Sequence, residues 1–320
     1  MLLNAYAKIN LSLDVLGRRE DGYHNISSLM QDINLYDVVK INKCTEICAK
    51  YNSVHCSICK LDVYLCMSVD TIPLNENNLA IKGARAILEA MDRKGCLETE
   101  ECQLKAGDAV SMFIDKRLPV AAGIAGGSGN AAAAMLGINA IAGYPFSMRE
   151  LMDIGATVGA DVPYSLMMNS YKNRGILADM PGIEEASPAA MMSGIGDVVE
   201  AAEPVMRHII MINPGISVST REAYEAIDAL SAHNDPAGLF TNQLEKYTLA
   251  AYPEARALKE AMEEHLNADI VLMSGSGPTM VAYYTDPDTA RSDYDAIGRS
   301  GWLREPCRAW LTVTGCSKEE

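Results

Sequence analysis

The feature that most constrains this chain is a glycine-rich stretch in its middle, at residues 119–135. Four glycines and one serine fall within the seven residues from Gly123 to Gly129, and an alanine-rich segment typical of a helix follows at 131–142. Glycine lets a ligand approach the main chain closely. The first N–H groups of a helix lack acceptors within the helix and carry the positive end of its dipole. The stretch therefore predicts an anion site, most often for a phosphate.

Three alternative roles for these glycines are weaker on the residues alone. A Walker A loop is excluded because a lysine must follow its last glycine directly, and none does here. The spacing Gly127-x-Gly129-x-x-Ala132 matches a relaxed dinucleotide-binding fingerprint, but it lies in mid-chain without an acidic ribose partner at a following strand end. Glycines that serve only tight helix packing are the third alternative.

Charge and composition narrow the class of protein. A net charge of −15 argues against nucleic acid as a partner, because phosphate backbones are bound by clustered lysines and arginines. A small nucleotide needs only one or two cations and main-chain donors, so it stays possible. Nine irregularly spaced cysteines and a polar N-terminus without a secretory signal predict a cytoplasmic location. No apolar run approaches 18 residues, so no membrane span is expected.

The cysteines between Cys44 and Cys66 raise the question of zinc. Their spacing in the chain is compatible with the ligands of a zinc site. The segment has strand character, however, and alternation would turn Cys56 and Cys59 to opposite faces. We expect these cysteines to act as small buried apolar residues, and we assign no metal ligands.

Strands and helices are predicted in groups rather than in even alternation. This pattern favours an α+β fold with split βαβ units. Residues 167–193 show no clear period and are predicted as a long loop. Strands are predicted at 5–14, 38–41, 110–114, 208–212, 270–273, 280–284 and 308–313, and helices at 79–91, 131–142, 148–158, 220–230, 238–250, 253–265 and 288–299.

Four motifs occur in an order that carries a family resemblance. They are Ala-Lys8-Ile-Asn10, the stretch 119–128, Gly-Ala-Asp161-Val-Pro, and Ser-Gly-Ser-Gly-Pro-Thr at 274–279. Together they resemble the GHMP kinase superfamily. The resemblance implies a ribosomal S5 domain 2-like N-terminal domain at 1–166 and a ferredoxin-like α/β C-terminal domain at 167–320.

A further motif points to one branch of that superfamily. Gly-Arg-Arg-Glu-Asp-Gly-Tyr23-His24 resembles the 4-diphosphocytidyl-2-C-methyl-D-erythritol kinases. The resemblance implies transfer of phosphate from ATP, with Mg²⁺, to the 2-hydroxyl of that compound in the non-mevalonate isoprenoid route. The alternatives are another GHMP kinase, of the mevalonate or homoserine type, and a non-catalytic nucleotide-binding protein on the same fold.

The resemblance assigns two catalytic residues. Asp161 is implied as the general base toward the acceptor hydroxyl, or as the group that positions it while the proton leaves late. Lys8 is implied to orient that hydroxyl or to lower its pKa. Each residue taken alone has an ordinary role, a strand lysine facing solvent for Lys8 and a turn before Pro163 for Asp161.

The resemblance also assigns the nucleotide site. The main chain of the glycine stretch and Ser128 are implied to hold the β- and γ-phosphates, with Mg²⁺ bridging their oxygens. Lys116 is expected near the nucleotide, with a solvated lysine as the alternative. Asn78 and Leu79 are expected near the adenine, unless Asn78 only caps a helix. The full set is Asn78, Leu79, Lys116, Pro119, Gly123, Ala125, Gly126, Gly127, Ser128, Gly129 and Asn130.

The acceptor is implied to carry a cytidine diphosphate group. Tyr23 offers a ring for stacking on cytosine, and His24 offers ring and main-chain groups to the edge of the base. By the family pattern, Tyr224 stacks from the other side and Thr220 lies near it. Asn10 is expected to bind the erythritol or its phosphates. We expect a monomer or a weak homodimer, with neither nucleic acid nor membrane as a partner.

The chain departs from the family pattern in two places. In the glycine stretch, Ala121 replaces a glycine, Ile124 a leucine and Gly129 a second serine. In addition, residues 168–193 are about 20 residues longer than the pattern leads us to expect. This span is either a lid beside the site or a disordered insertion, and we favour an inert insertion.

Overall fold

The protein is described by a computed structural model that covers residues 1–44, 54–58, 61–120, 122–230 and 238–315. Strands and helices alternate in groups along these residues. In chain order they are β1 (Leu2–Asn10), β2 (Ser12–Arg18), β3 (His24–Cys44), β4 (Val54–Ile58), β5 (Leu61–Met67), α1 (Leu79–Arg93), β6 (Ala109–Asp115), α2 (Gly126–Ile141), α3 (Met148–Ala156), α4 (Val162–Lys172), β7 (Ala189–Ser193), β8 (Val198–Ala201), β9 (His208–Asn213), α5 (Thr220–Leu230), β10 (Thr241–Asn242), α6 (Gln243–Ala251), α7 (Pro253–His265), β11 (Ile270–Met273), β12 (Met280–Tyr284), α8 (Pro287–Ser300) and β13 (Arg308–Val313).

These elements form two compact units that interleave along the chain. The first unit consists of residues 1–6, 36–118 and 125–188, and the second of 7–35, 119–124 and the described residues from Ala189 onward. Strands β1 and β3 each contribute residues to both units, so the units differ from a single division at residue 166. That division stays a prediction about domain boundaries.

The first unit places helices α1 to α4 beside a mixed sheet. The second half of β3 pairs antiparallel with β6, β6 pairs parallel with β5, and β5 pairs antiparallel with β4. Helix α2 is the centre of this unit, because every residue from Ala131 to Ile138 is buried. Its neighbour α1 approaches closely at Gly83, where an added Cβ would lie 2.9 Å from the Ala131 carbonyl oxygen.

The second unit contains an antiparallel sheet in the order β11-β12-β9-β13. In chain order its elements run strand, helices, two strands, helix, strand, which is the ferredoxin-like arrangement expected for the C-terminal region. Its core includes Ile210 and Ile212 of β9, Met262 of α7 and Met280 of β12. The α+β class is confirmed.

Several elements agree with the local signals in the sequence. Helix α1 begins after Asn78, whose side chain accepts a hydrogen bond from the Ala80 N–H at 3.0 Å, as a helix cap does. Helix α3 begins with a capping box, in which Ser147 and Glu150 satisfy each other's main-chain N–H groups. The predicted strands at 110–114, 208–212, 270–273, 280–284 and 308–313 are confirmed to within two residues at each end.

The prediction for strand β3 is far too short, at 38–41 instead of His24–Cys44. The missed part carries polar residues at positions that the structure buries, among them Ser28, Gln31 and Asp32. Gln31, for example, bonds through its amide to both the N–H and the carbonyl of Val205. A pattern of apolar alternation cannot reveal a strand whose inward side chains are satisfied polar groups. The strand predicted at 5–14 is likewise two strands, β1 and β2, which break at Leu11.

Two predicted loops are also wrong. Helix α2 begins at Gly126 rather than near Ala131, so three of the glycines lie in its first turn. Residues 167–193 are not a long loop, because α4 continues to Lys172 and β7 begins at Ala189.

The long segment after Asp161 is ordered rather than a disordered insertion. Asn169 accepts a hydrogen bond from the Tyr6 N–H at 2.8 Å, and Asn173 bonds both the N–H and the carbonyl of Asn4. Further along, Leu177 and Met180 are fully buried. Asparagine is typical of loops, but here both asparagines bind the main chain of β1. Whether this segment also acts as a lid stays a prediction.

Candidate active site

The first turn of α2 leaves main-chain donors available to a ligand. Ala125, at the position before the helix, has a left-handed backbone (φ 56°), and no side chain of the described residues caps the helix start. The Gly129 N–H is already bonded to the Ala125 carbonyl at 2.8 Å. The N–H groups of Gly126, Gly127 and Ser128 therefore form the donor set expected of a phosphate cradle.

A buried ion pair flanks this turn. Lys116 Nζ lies 2.6 Å from Asp37 Oδ2, and their side chains are 5% and 0% exposed. Asp37 Oδ1 also accepts from the N–H groups of Arg117 and Leu118 at 2.7 and 2.8 Å. A Cβ on Gly126 would lie only 3.3 Å from Lys116 Nζ, so the ammonium group is held at the start of α2. Sequence reasoning proposed Lys116 but missed Asp37, because no local pattern marks a carboxylate that acts 79 residues away.

Other predicted nucleotide residues also lie around this turn. Leu79 contacts Gly127, where an added Cβ would lie 3.0 Å from Leu79 Cδ1. Asn78 is occupied as the cap of α1, and its amide also donates to the Pro73 carbonyl at 3.1 Å. Asn130 is buried, and its Oδ1 has no hydrogen-bond partner in the part of the chain that the structure describes. Asn78 thus caps its helix, and its predicted place near the adenine stays a prediction.

Asp161 occupies the position directly before α4. Its carbonyl accepts the Ser165 N–H at 3.0 Å, and its carboxylate does not cap its own helix. Pro163 fits the second position of the helix, where no N–H donor is needed. The Gly-Ala-Asp-Val-Pro motif is thus the entry to a helix, with Asp161 half-buried at its tip.

In the second unit, Lys8 belongs to a buried hydrogen-bonded chain. Its Nζ donates to Asn10 Oδ1 at 2.7 Å, Asn10 Nδ2 donates to Ser28 Oγ at 2.8 Å, and Ser28 donates to the Ser12 carbonyl at 2.6 Å. Lys8 and Asn10 are 4% and 1% exposed. Asn10 therefore has a fixed amide orientation and holds the ammonium group of Lys8. Lys8 and Asn10 were both expected at the site from the sequence, whereas Ser28 was not predicted.

The same unit brings together two glycine-containing turns. The Ile124 carbonyl accepts the Lys8 N–H at 3.1 Å, and Ser274 Oγ donates to the Gly123 carbonyl at 3.2 Å. Gly123 has φ 73°, and an added Cβ would lie 2.6 Å from the Ser274 carbonyl oxygen, so only glycine fits there. The half-buried Pro119 opens this loop, while Ala121 lies outside the described residues.

The predicted base-binding residues lie near the end of β2 and on α5. His24 and Tyr224 have ring centroids 5.4 Å apart at 31°, and His24 Nε2 lies 2.8 Å from Asp228 Oδ1. Tyr23 is 62% exposed, so its ring is open to a ligand. Thr220 Oγ1 lies 2.8 Å from Ser276 Oγ, which ties α5 to the second glycine turn. Sequence reasoning missed Asp228, although its place four residues after Tyr224 on a predicted helix was a usable signal.

A membrane-spanning helix is absent from the described residues, since none of their helices combines the necessary length with the necessary apolar character.

Within the same residues, no group of three or more histidine, cysteine or acidic side chains is arranged to hold a metal ion. Cys44 Sγ lies 3.0 Å from Ser111 Oγ. Cys48 and Cys59 lie outside the described residues, so the expectation for the cysteine segment stays a prediction.

Comparison with known proteins gives a consistent result. A model described as "GHMP kinases N terminal domain" matches residues 78–169, and one described as "GHMP kinases C terminal" matches residues 216–302. The 4-diphosphocytidyl-2-C-methyl-D-erythritol kinase of Alkaliphilus metalliredigens (strain QYMF) is 33% identical and covers 92% of this chain and 91% of its own. That of Clostridioides difficile (strain 630) is 32% identical, with 90% and 88% covered.

Solved structures agree. A 4-(cytidine 5′-diphospho)-2C-methyl-D-erythritol kinase superposes with a TM-score of 0.68 at 25% identity, covering 99% of this chain and all of its own. The mevalonate kinase of L. major is 13% identical with a TM-score of 0.60, and its similarity to this chain shows a common fold and no more. The chain therefore belongs to the GHMP kinases and, within them, to the family of the 4-diphosphocytidyl-2-C-methyl-D-erythritol kinases.

Proposed function

We propose that this protein transfers the γ-phosphoryl group of ATP to the 2-hydroxyl of 4-diphosphocytidyl-2-C-methyl-D-erythritol. The product would feed the non-mevalonate route to isoprenoid precursors, in the cytoplasm. The observation that carries the choice of acceptor is the pairing of His24 with Tyr224 next to the exposed ring of Tyr23. Aromatic rings and a ring nitrogen are what a protein needs to hold a single pyrimidine base.

The first turn of α2 is the proposed phosphate cradle. The N–H groups of Gly126, Gly127 and Ser128 would bind the β- and γ-phosphate oxygens, and Lys116 would neutralise part of their charge. Lys116 substitutes in this role for a lysine that a Walker loop would place directly after its last glycine. Its ammonium group is buried beside Gly126 and needs no rearrangement to face the turn.

The residues at this turn also suit Mg²⁺. Magnesium binds few protein oxygens and keeps phosphate oxygens and waters as its other ligands. Ser128 Oγ and the buried Asn130 Oδ1 are oxygen donors in the first turns of α2. Bound there, the ion would screen the charge that develops on the transferred group. Neither oxygen is a carboxylate, so the protein's share of the binding would be modest.

Lys8 and Asp161 are the proposed catalytic residues. Asn10 fixes the Lys8 ammonium group, which would stabilise negative charge on the acceptor oxygen. Asp161 would accept the hydroxyl proton or hold the hydroxyl in line for attack. Because Asn10 already bonds Lys8 and Ser28, we propose that it acts on the acceptor mainly through Lys8.

Turnover of a panel of acceptors tests this function. The purified full-length protein is given ATP and Mg²⁺ with the cytidyl compound, mevalonate or homoserine, and product is followed by ³¹P NMR. We expect a phosphomonoester signal with the cytidyl compound alone, and a reaction without acceptor corrects for ATP hydrolysis. Turnover of mevalonate or homoserine without the cytidyl compound would refute the assignment. Sedimentation of the same sample tests the proposed monomer or weak homodimer.

A further inference from the structure

We propose that Asp228 is a positioning residue that fixes the hydrogen-bonding state of His24 and thereby makes the base site select cytosine over uracil. This inference rests on the proposed function, since it concerns the base of the same acceptor. It assigns a role to a carboxylate on α5 that the kinase reaction itself does not require.

The geometry begins with how His24 is held. Asp228 Oδ1 lies 2.8 Å from His24 Nε2, and the histidine side chain is only 8% exposed. Arg18 lies directly across the β2–β3 pair from His24, and its Nη1 lies 3.3 Å from the other oxygen of Asp228. Tyr224, one turn earlier on α5, packs against the imidazole ring at 5.4 Å. The ring is thus held at its face and at one nitrogen.

That contact determines what the other nitrogen can do. A carboxylate only accepts hydrogen bonds, so the proton of a neutral imidazole stays on Nε2 and Nδ1 presents a lone pair. Arg18 pairs with the other oxygen of the same carboxylate, which helps to hold Asp228 in place beside His24. Among the described residues only Nε2 of His24 has a hydrogen-bond partner, so Nδ1 is the ring nitrogen available to a ligand, and it acts as an acceptor.

An acceptor at this position distinguishes the two pyrimidines. Cytosine carries an amino group at C4, which donates, whereas uracil carries a carbonyl oxygen, which accepts. Nδ1 of His24 therefore gains a hydrogen bond from cytosine and faces a second acceptor in uracil. Sites with fixed polar groups reject a ligand that leaves them unpaired.

Three substitutions isolate the role of the carboxylate. Asp228→Asn keeps the size of the side chain but can donate as well as accept, so the proton of His24 is free to move to Nδ1. Asp228→Glu retains a carboxylate and should preserve the preference. Glu225→Gln is the matched control, because Glu225 lies on the same helix, is exposed and pairs with Arg221 instead.

The test uses ring ¹⁵N NMR of the full-length protein at pH 8.5, where imidazoles are ordinarily neutral, with His24→Gln to assign the signals. The same samples are titrated with cytidine 5′-monophosphate and uridine 5′-monophosphate. We expect wild type to carry its His24 proton on Nε2 and to bind the cytidine compound tighter by roughly tenfold or more. Asp228→Asn should populate both tautomers and bring the ratio of the two affinities close to one.

Each outcome decides the question. A His24 proton on Nδ1 in wild type, or an unchanged affinity ratio in Asp228→Asn, overturns the inference. The same loss of preference in Glu225→Gln would also overturn it, because it would show a general effect of charge on α5. If base selection behaves as expected but the cytidyl compound is not phosphorylated, the proposed function fails and the inference about Asp228 stands.

Discussion

Lys116 and Asp37 form a buried ion pair in which Nζ lies 2.6 Å from Oδ2, although 79 residues separate them in the chain. The carboxylate also accepts two main-chain N–H groups that follow Lys116. One aspartate therefore holds both the lysine and the strand end from which it projects, beside the first turn of α2. Two properties should depend on it: the stability of the first unit and the affinity for ATP.

Asp37→Asn should weaken both properties. Removing one partner of a buried ion pair leaves an uncompensated charge and typically costs about 3–5 kcal/mol. A loosened Lys116 should raise the KM for ATP by roughly tenfold, the equivalent of about one charged hydrogen bond. Urea denaturation and steady-state kinetics measure the two effects. Asp115→Asn is the matched control, because Asp115 pairs with Arg117 at the surface and should change stability by less than about 1 kcal/mol. Lower stability with an unchanged KM for ATP would show that Lys116 has only a structural role.

Asp161→Asn should abolish turnover while leaving ATP binding nearly intact. The amide of asparagine cannot act as a general base. Aspartate and asparagine are both favoured at the position before a helix, so the substitution should not disturb the start of α4. Fluorescent-nucleotide titration and single-turnover kinetics separate binding from chemistry. Asp153→Asn, an exposed aspartate on α3, should behave as wild type. Full activity in Asp161→Asn would refute both a base and a positioning role.

Tyr23→Ala should raise the KM for the acceptor and leave the KM for ATP nearly unchanged. Its ring is 62% exposed, so the loss should be one of stacking rather than of folding. Stacking on one base is typically worth ~1–3 kcal/mol, or roughly 5- to 150-fold in affinity. Steady-state kinetics with each substrate varied in turn measure this. Phe113→Ala removes another exposed ring, in β6, and should leave both KM values unchanged. An equal rise in the KM for ATP would contradict the assignment of Tyr23 to the acceptor.

Gly129 and Gly298 should respond in opposite directions to the same change. Both lie in helices, where alanine is ordinarily favoured over glycine by about 1 kcal/mol. A Cβ on Gly129 would lie 2.9 Å from the Tyr6 carbonyl oxygen, whereas one on Gly298 would meet nothing within 4 Å. Gly129→Ala should therefore destabilise the protein by ~1–3 kcal/mol, and Gly298→Ala should stabilise it by ~0.5–1 kcal/mol. Thermal denaturation measures both changes.

This chain has a glycine at position 129 where the family pattern has a serine, and a stable Gly129→Ser variant would contradict a steric explanation of that difference. The pattern places a second serine at this position, and the clash predicts that this chain does not tolerate one. If the serine variant is destabilised, the glycine is a consequence of how closely β1 approaches α2, rather than the loss of a phosphate contact.

The local chemistry of the sequence was sufficient for much of the fold. The helices predicted at 79–91 and 148–158 begin where expected, because their caps, Asn78 and Ser147, act on residues adjacent in the chain. The grouping of predicted strands and helices indicated the α+β class, whereas the ferredoxin-like arrangement of the C-terminal region was implied by the family resemblance. Several of the failures share one cause. Ser28, Gln31 and Asn169 are polar residues that the structure buries, and their partners lie too far along the chain to be recognised.

The sequence by itself determined the family, the predicted anion site in the glycine stretch and the candidates Lys8, Asp161, Tyr23 and His24, because each is carried by a short motif. Only the tertiary structure decided which side chains hold the predicted site residues in place. Asp37 reaches Lys116, Ser28 reaches Asn10, and Asp228 reaches His24 through pairings between distant segments. The glycine stretch shows the same division: its composition predicted a site for an anion, but the main chain of Tyr6 decided that Gly129 must be a glycine. Motifs record which groups are present, whereas the closeness of unrelated segments sets their orientation.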